Sequence, residues 1–216
     1  MHNTVKNLIY IEDLIKSKVN HDKLVQIIAV SKTFLIENIL PLIEHGHLHY
    51  GENKVQEALD KWTEIKKNNN AIKLHLIGKL QTNKVKLALN IFDYIHSVDN
   101  EKLATKISEE QIKQGKKPKI FIQVNIGNED QKSGINKNNL MGFYKFCKKL
   151  NLDIIGTMCI PPNDGNTEKY FSEMNQINKE LNFKELSMGM SEDYLDAIKN
   201  NATYIRVGSK IFGSRA

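Results

Sequence analysis

An eight-stranded parallel α/β barrel, (β/α)8, preceded by one extra helix, is the architecture this sequence predicts, and three observations predict it. Eight short apolar runs alternate with helical patterns, which argues for a parallel sheet. The connections are short and the composition stays uniform along 216 residues, so residues 1–216 are expected to form a single barrel domain. No Gly-x-Gly-x-x-Gly follows any apolar run, which removes the usual dinucleotide-binding reading of the competing open, doubly wound sheet.

Each element has its own signal. Val5, Leu8, Ile9, Ile11, Leu14 and Ile15 recur at spacings of three and four, an amphipathic helix over 3–18 with Asn3 or Thr4 as cap. The apolar residues of the first strand, 25–30, are all β-branched or small, which suits burial on both faces. A helix over 36–44 ends at Gly46. Residues 48–50 are a short strand running into Gly51-Glu52-Asn53. A helix over 55–67 closes in the turn-forming Asn68-Asn69-Asn70. The third strand, 72–77, runs into Gly78, and Thr82 caps a helix to about Leu89. The fourth strand is 94–98. Asn100 caps a helix to about Gln114, stopped by Gly115 and Pro118. The fifth strand, 119–126, leads through a polar loop to a helix over about 138–150. A sixth strand at 154–158 breaks at Pro161-Pro162. A helix over 167–181 sets Tyr170, Phe171, Met174 and Ile177 on one side. The seventh strand is 185–188, Ser191 caps a helix to Lys199, and the eighth strand, 203–207, is followed by Gly208 and a last short turn.

Composition narrows the function classes. The chain is 40% hydrophobic and 26% charged, ordinary for a globular protein. Its net charge of +6 is spread over pairs such as Lys66-Lys67, Lys116-Lys117 and Lys148-Lys149, a solvated face rather than a nucleic-acid stripe. Residues 1–10 contain no signal peptide, and no segment approaches the ~20 apolar residues of a membrane span. Cys147 and Cys159 lack metal-type spacing, so a reduced, cytoplasmic protein with no metal is expected. Arg206 and Arg215 are the only arginines in a lysine-rich chain, which draws attention to them as fixed anion contacts.

In a parallel barrel the chemistry sits at the carboxyl ends of the strands. Residues there include Ser31 and Lys32, then Gly51, Glu52 and Asn53, with His75 inside the third strand. Gly78, Gln81, His96, Ser97, Gln123, Asn125, Met158 and Met188 continue the ring. Lys32 ends the first strand abruptly. A lysine held in a barrel mouth can lose hydration, lower its pKa and form a Schiff base with an aldehyde, whereas the competing reading is a surface lysine. Ser187-Met188-Gly189-Met190-Ser191 and Arg206-Val207-Gly208-Ser209-Lys210 each offer glycine, a hydroxyl and free backbone N–H groups at a helix start, an anion site at the last two strands. Turn glycines and an ordinary N-cap are the plainer alternative. A lysine for an aldehyde plus a phosphate clamp describes a pyridoxal 5′-phosphate site. Arg206 either faces the cofactor ring, where it would keep the pyridine nitrogen unprotonated, or pairs inside the barrel with a residue such as Glu52.

The sequence resembles the pyridoxal phosphate homeostasis protein family, whose fold is a TIM barrel like the alanine racemase N-terminal domain. The matching blocks run through nearly the whole chain: Ala29-Val30-Ser31-Lys32-Thr33, Tyr50-Gly51-Glu52-Asn53-Lys54-Val55-Gln56-Glu57, and His75-Leu76-Ile77-Gly78-Lys79-Leu80-Gln81-Thr82-Asn83-Lys84. Gln123-Val124-Asn125, Lys132-Ser133-Gly134, Gly156-Thr157-Met158, Leu186-Ser187-Met188-Gly189-Met190-Ser191 and the 207–213 turn, flanked by Arg206 and Arg215, complete them. The resemblance implies that Lys32 holds pyridoxal phosphate, that Ser191, Gly208 and Ser209 bind its phosphate, that Asn53 and His75 line the ring pocket, and that Arg206 faces the pyridine nitrogen. Lys132 falls near the mouth. Lys79, Thr157, Cys159 and a short loop over 161–167 depart from the family pattern outside this shell.

The resemblance implies a cofactor-holding protein of intracellular pyridoxal phosphate homeostasis, buffering the aldehyde or supplying it to apo-enzymes. The charge distribution and hydropathy point away from nucleic acid and membrane, and nothing in the sequence suggests an obligate interface, so a monomer is expected. The alternative is an amino-acid racemase or related enzyme. A barrel racemase needs a second base from a further domain or subunit, for which the chain leaves no room; Tyr50 and His75 are the nearby candidates. A barrel that has lost its ligand is a third reading, and the intact Lys32 argues against it.

Overall fold

The computed structural model describes residues 1–18, 24–129 and 131–214; Arg215 lies outside the described residues. The chain runs α1 (Asn3–Lys18), β1 (Gln26–Val30), α2 (Ile36–Glu44), β2 (His49–Glu52), α3 (Val55–Asn68), β3 (Lys73–Leu76), α4 (Val85–Ile91), β4 (Tyr94–Val98), α5 (Glu101–Gln114) and β5 (Lys119–Gln123). It continues through α6 (Leu140–Lys149), β6 (Asp153–Met158), α7 (Thr167–Glu180), β7 (Glu185–Met190), α8 (Tyr194–Lys199), β8 (Tyr204–Val207) and α9 (Ser209–Phe212). The strands close in sequence order, and β1 pairs in parallel with both β2 and β8. This is the expected (β/α)8 barrel with its leading helix.

Strand parity divides the molecule into two cores. Ile27, Ala29, Tyr50, Leu74, Leu76, Ile95, Ile120, Ile122, Ile205 and Val207 belong to the large cluster that the helices cover. Ile28, Tyr94, Phe121, Met158 and Tyr204 pack together in a second, smaller cluster. A Cβ on Gly51 would stand 2.8 Å from Ile28 Cγ2, so this strand position has room only for glycine.

Several helix starts are set by neighbours rather than by the expected caps. Asn100 does cap α5, its Oδ1 accepting the Leu103 N–H at 2.9 Å. For α1 the cap is His2, whose Nδ1 meets the Thr4 N–H at 3.3 Å, and not Asn3 or Thr4. Thr82 opens a single 3₁₀ turn, Thr82–Lys84, ahead of α4 and makes no capping bond. Strand β5 stops at Gln123 instead of 126, because Val124 is drawn into an isolated bridge with Ile135. Strand β7 runs two residues past the expected end, to Met190, and α8 starts only at Tyr194, so Ser191 is not its cap.

Candidate functional site

At the carboxyl end of the strands a cleft of about 520 Å³ opens among β1, β2, β7 and β8, a size suited to a small organic ligand. Lys32, Asn53, Ser191, Arg206, Gly208 and Ser209 line it, six of the seven residues expected there. Val30, Ile77, Ile160 and Met190 supply apolar wall. Ile160 and Met190 escaped the sequence reading; the unexpected extension of β7 is what carries Met190 into the cleft. Two larger clefts, of about 730 and 550 Å³, lie at the amino ends of the strands and contain none of the seven.

The two turns expected to bind an anion come together on one side. Gly189 has φ +88, a left-handed conformation, and a Cβ there would stand 2.5 Å from the Ala197 Cβ. The backbone thereby turns from β7 into the loop that presents Ser191. Ser191 Oγ accepts the Gly208 N–H at 3.3 Å across the two turns. Its hydroxyl therefore joins β7 to β8, where the sequence suggested a helix cap. Asp193 also lines this side, but its Oδ1 is occupied by the Met190 N–H at 2.6 Å.

Arg206 is 4% exposed, so the guanidinium sits at the bottom of the cleft. Nη1 donates to Ser187 Oγ at 2.8 Å and Nη2 to the Cys159 carbonyl at 2.9 Å. Its partners are neutral, and Glu52 is not among them. Glu52 Oε1 instead accepts from Ser31 Oγ at 2.7 Å, Lys61 Nζ at 3.0 Å and Trp62 Nε1 at 3.0 Å, fully buried between β2 and α3. Burial pulls the Arg206 pKa below its ordinary value, while Cys159 and Asp193 act to raise it.

Behind Arg206 runs a chain of hydrogen bonds that no local pattern announces. Ser187 Oγ lies 2.9 Å from His96 Nδ1, His96 Nε2 lies 2.9 Å from His75 Nδ1, and His75 Nε2 lies 2.9 Å from His49 Nδ1. Arginine only donates, so Ser187 Oγ accepts from it, which leaves the serine proton available to His96 Nδ1. With the serine donating there, each neutral imidazole receives on Nδ1 and donates from Nε2, and the chain runs from Arg206 to His49. Burial holds His75 and His96 well below the ordinary histidine pKa, with His96 acting further on His75 and Arg206 on His96. Burial also lowers His49, assisted by Lys73, and brings His47 to about 4.

His75, the seventh residue expected at the site, stands apart from the cleft. It is fully buried, stacked on Tyr94 with ring centroids 4.1 Å apart, and outside the cleft lining. Tyr50 is also fully buried, on the outer face of β2 against Trp62, and its hydroxyl donates to the His47 carbonyl at 3.1 Å. Burial raises its pKa strongly. Neither residue named as a second base reaches the cleft. His96, Met158 and Met188 are likewise fully buried rather than exposed at the mouth. Lys132 donates to the Pro161 carbonyl at 3.3 Å and pairs with Glu129, outside the cleft lining. Lys79 is exposed and Thr157 donates to Asn178 Oδ1 at 2.9 Å, both away from the cleft lining.

The donor set fits one cofactor chemistry. An amine at Lys32 suits an aldehyde, a donor-only guanidinium suits a ring nitrogen lone pair, and hydroxyls with turn amides suit a phosphate.

Comparison with known proteins points to one family. The family model described as alanine racemase, N-terminal domain, matches residues 13–216. The pyridoxal phosphate homeostasis protein of Pasteurella multocida is 35% identical over 225 residues, covering 97% of each chain. That of Vibrio cholerae is 37% identical over 202 residues, covering 88% of this chain and 86% of its own. The solved structure of PipY from Synechococcus elongatus with PLP bound has 33% sequence identity and a TM-score of 0.86, covering 97% of this chain and 100% of that one. An alanine racemase of Clostridium difficile shares the fold at 16% identity and a TM-score of 0.73, with 57% of its chain covered.

Proposed function

The chain belongs to the pyridoxal phosphate homeostasis protein family, built on the alanine racemase N-terminal domain, and from that premise we propose that it binds pyridoxal 5′-phosphate in the mouth cleft and holds it in reserve. Lys32 supplies the amine that condenses with the cofactor's aldehyde, with loss of water. Ser191, Gly208 and Ser209 receive the phosphate, and Asn53 flanks the ring. Arg206 donates toward the pyridine nitrogen. Ser187 and the Cys159 carbonyl hold the guanidinium in place. The protein buffers the aldehyde or supplies it to apo pyridoxal phosphate enzymes, acting in the cytoplasm as a monomer. No helix among the described residues is long and apolar enough to cross a membrane.

One observation carries the reading: Lys32, Arg206 and the two Gly-Ser turns converge on a single cleft of cofactor size. The absence of Tyr50 and His75 from its lining favours holding over racemisation, since neither can take a proton from a substrate there. The test is an absorbance spectrum of the wild type beside Lys32→Ala after adding pyridoxal phosphate. A visible band in the wild type that is lost in the variant is expected. No band in either overturns the proposal. Production of D-alanine from L-alanine by the wild type would overturn the non-catalytic part alone.

A further inference from the structure

Thr33, immediately after Lys32, has φ +67. A β-branched residue is strained in that left-handed region, so the surroundings must impose it. The Thr33 N–H donates to Glu57 Oε1 at 2.5 Å. Lys61 Nζ donates to the Ser31 carbonyl at 2.9 Å, and also to Glu52 Oε1 at 3.0 Å and Glu57 Oε1 at 3.1 Å. Glu57 and Lys61 stand four residues apart on α3 and so face the same way. The Phe34 N–H closes the turn on the Ser31 carbonyl at 3.2 Å. Both residues flanking Lys32 are therefore tied through their backbones to the following βα unit, one by a carboxylate and one by an ammonium that is 10% exposed.

We propose that Glu57, supported by Lys61, is a positioning residue for Lys32: it holds the left-handed Thr33 turn and so sets where the lysine amine meets an aldehyde in the cleft. The inference rests on the role given to Lys32 above. Glu57 does not touch the cleft and acts through the Thr33 amide. Partial burial pushes the Glu57 carboxyl up, but the Thr33 N–H and Lys61 outweigh it and hold the carboxyl below its ordinary range. Lys61 in turn is held by the buried Glu52 and steers Glu57 onto the turn. Capture of an aldehyde depends on the approach geometry of the amine, and a displacement of the order of 1 Å is enough to slow such a step strongly.

The test compares the wild type, Glu57→Ala, Glu57→Gln, Thr33→Gly and the Thr33→Gly/Glu57→Ala double variant, all as full chains. Alanine keeps α3 helical while removing the acceptor; glutamine keeps an oxygen that accepts the amide. One readout is the rate of pyridoxal phosphate capture, followed by visible absorbance. The other is hydrogen exchange of the residue 33 amide without cofactor. Glu57→Ala is expected to slow capture about tenfold, the scale of strain at one left-handed β-branched residue, and to speed exchange. Glu57→Gln is expected to retain most of the wild-type rate. Glycine adopts the left-handed turn without strain, so Thr33→Gly should restore the double variant to within about threefold of wild type. Unchanged capture and exchange in Glu57→Ala overturn the proposal. A double variant as slow as Glu57→Ala also overturns it, because Glu57 would then act through α3 as a whole. A wild type that captures no cofactor instead removes the functional reading, and exchange at residue 33 still decides whether Glu57 holds the turn.

Discussion

Replacing Ser187 by alanine deletes a single oxygen from the barrel interior, and its consequence follows from the chain that oxygen joins. Ser187 Oγ accepts from Arg206 Nη1 at 2.8 Å and is 2.9 Å from His96 Nδ1, with Ser187 and His96 fully buried and Arg206 nearly so. A hydrogen bond from a charged donor contributes about 1.5–3 kcal/mol. Loss of the hydroxyl also strands His96 Nδ1, an unpaired buried acceptor that costs about 1–3 kcal/mol. The Cys159 carbonyl stays on Nη2, so part of the guanidinium's hydrogen bonding survives. The two losses together come to about 2.5–6 kcal/mol. At this chain length, each kcal/mol moves the melting temperature by about 2–4 °C. Denaturant titration of both proteins at neutral pH measures the difference. A loss below about 0.5 kcal/mol, the range of an uninvolved surface site, would refute the reasoning. So would nitrogen NMR of the wild type placing the His96 proton on Nδ1, because Ser187 would then not be its donor.

Acid should unfold the protein early. His47, His49, His75 and His96 have pKa values below the ordinary histidine value of 6.5 in the folded chain, chiefly through burial. The unfolded state therefore binds more protons as pH falls below 6.5, and stability declines by about 1.4 kcal/mol per pH unit for each histidine kept neutral. Denaturation midpoints between neutrality and about pH 4 should fall steeply, and a flat profile would contradict this. Gly78→Ala should weaken pyridoxal phosphate binding about tenfold or more, because its Cβ would stand 2.4 Å from the Asn53 backbone oxygen and displace a cleft residue; absorbance titration reads the affinity. Both cysteines are buried, and burial pushes their thiols up to about 12. A thiol reagent at about pH 8 should leave the native protein unlabelled and modify both residues after unfolding in guanidinium.

The order of elements was legible because each strand and helix is signalled by residues adjacent in the chain. Apolar periodicity marks nearly every boundary to within a few residues, and Lys32 shows itself as a charged residue ending an apolar strand. The Gly-Ser turns at 189–191 and 208–209 were legible for the same reason, since turn chemistry is local. The caps of α1, α4 and α8 differ from the sequence pattern because the backbone there is satisfied differently.

By itself, the sequence determined the barrel, the lysine at its mouth and the two Gly-Ser turns that end β7 and β8, all of which depend on short-range pattern and strand ends. Only the tertiary structure decided what the polar interior does. His49, His75, His96, Ser187 and Arg206 lie on β2, β3, β4, β7 and β8, and strand parity with closure of the barrel brings them into one directed chain. The same parity sends Tyr50 outward, and the position of α3 lays Glu57 against the Lys32 turn. A hydrogen bond between residues 91 positions apart, such as His96 to Ser187, leaves no mark on either residue's neighbours in sequence. It exists because closing eight strands into a barrel presses their inward side chains together, where a buried polar group is costly without a partner.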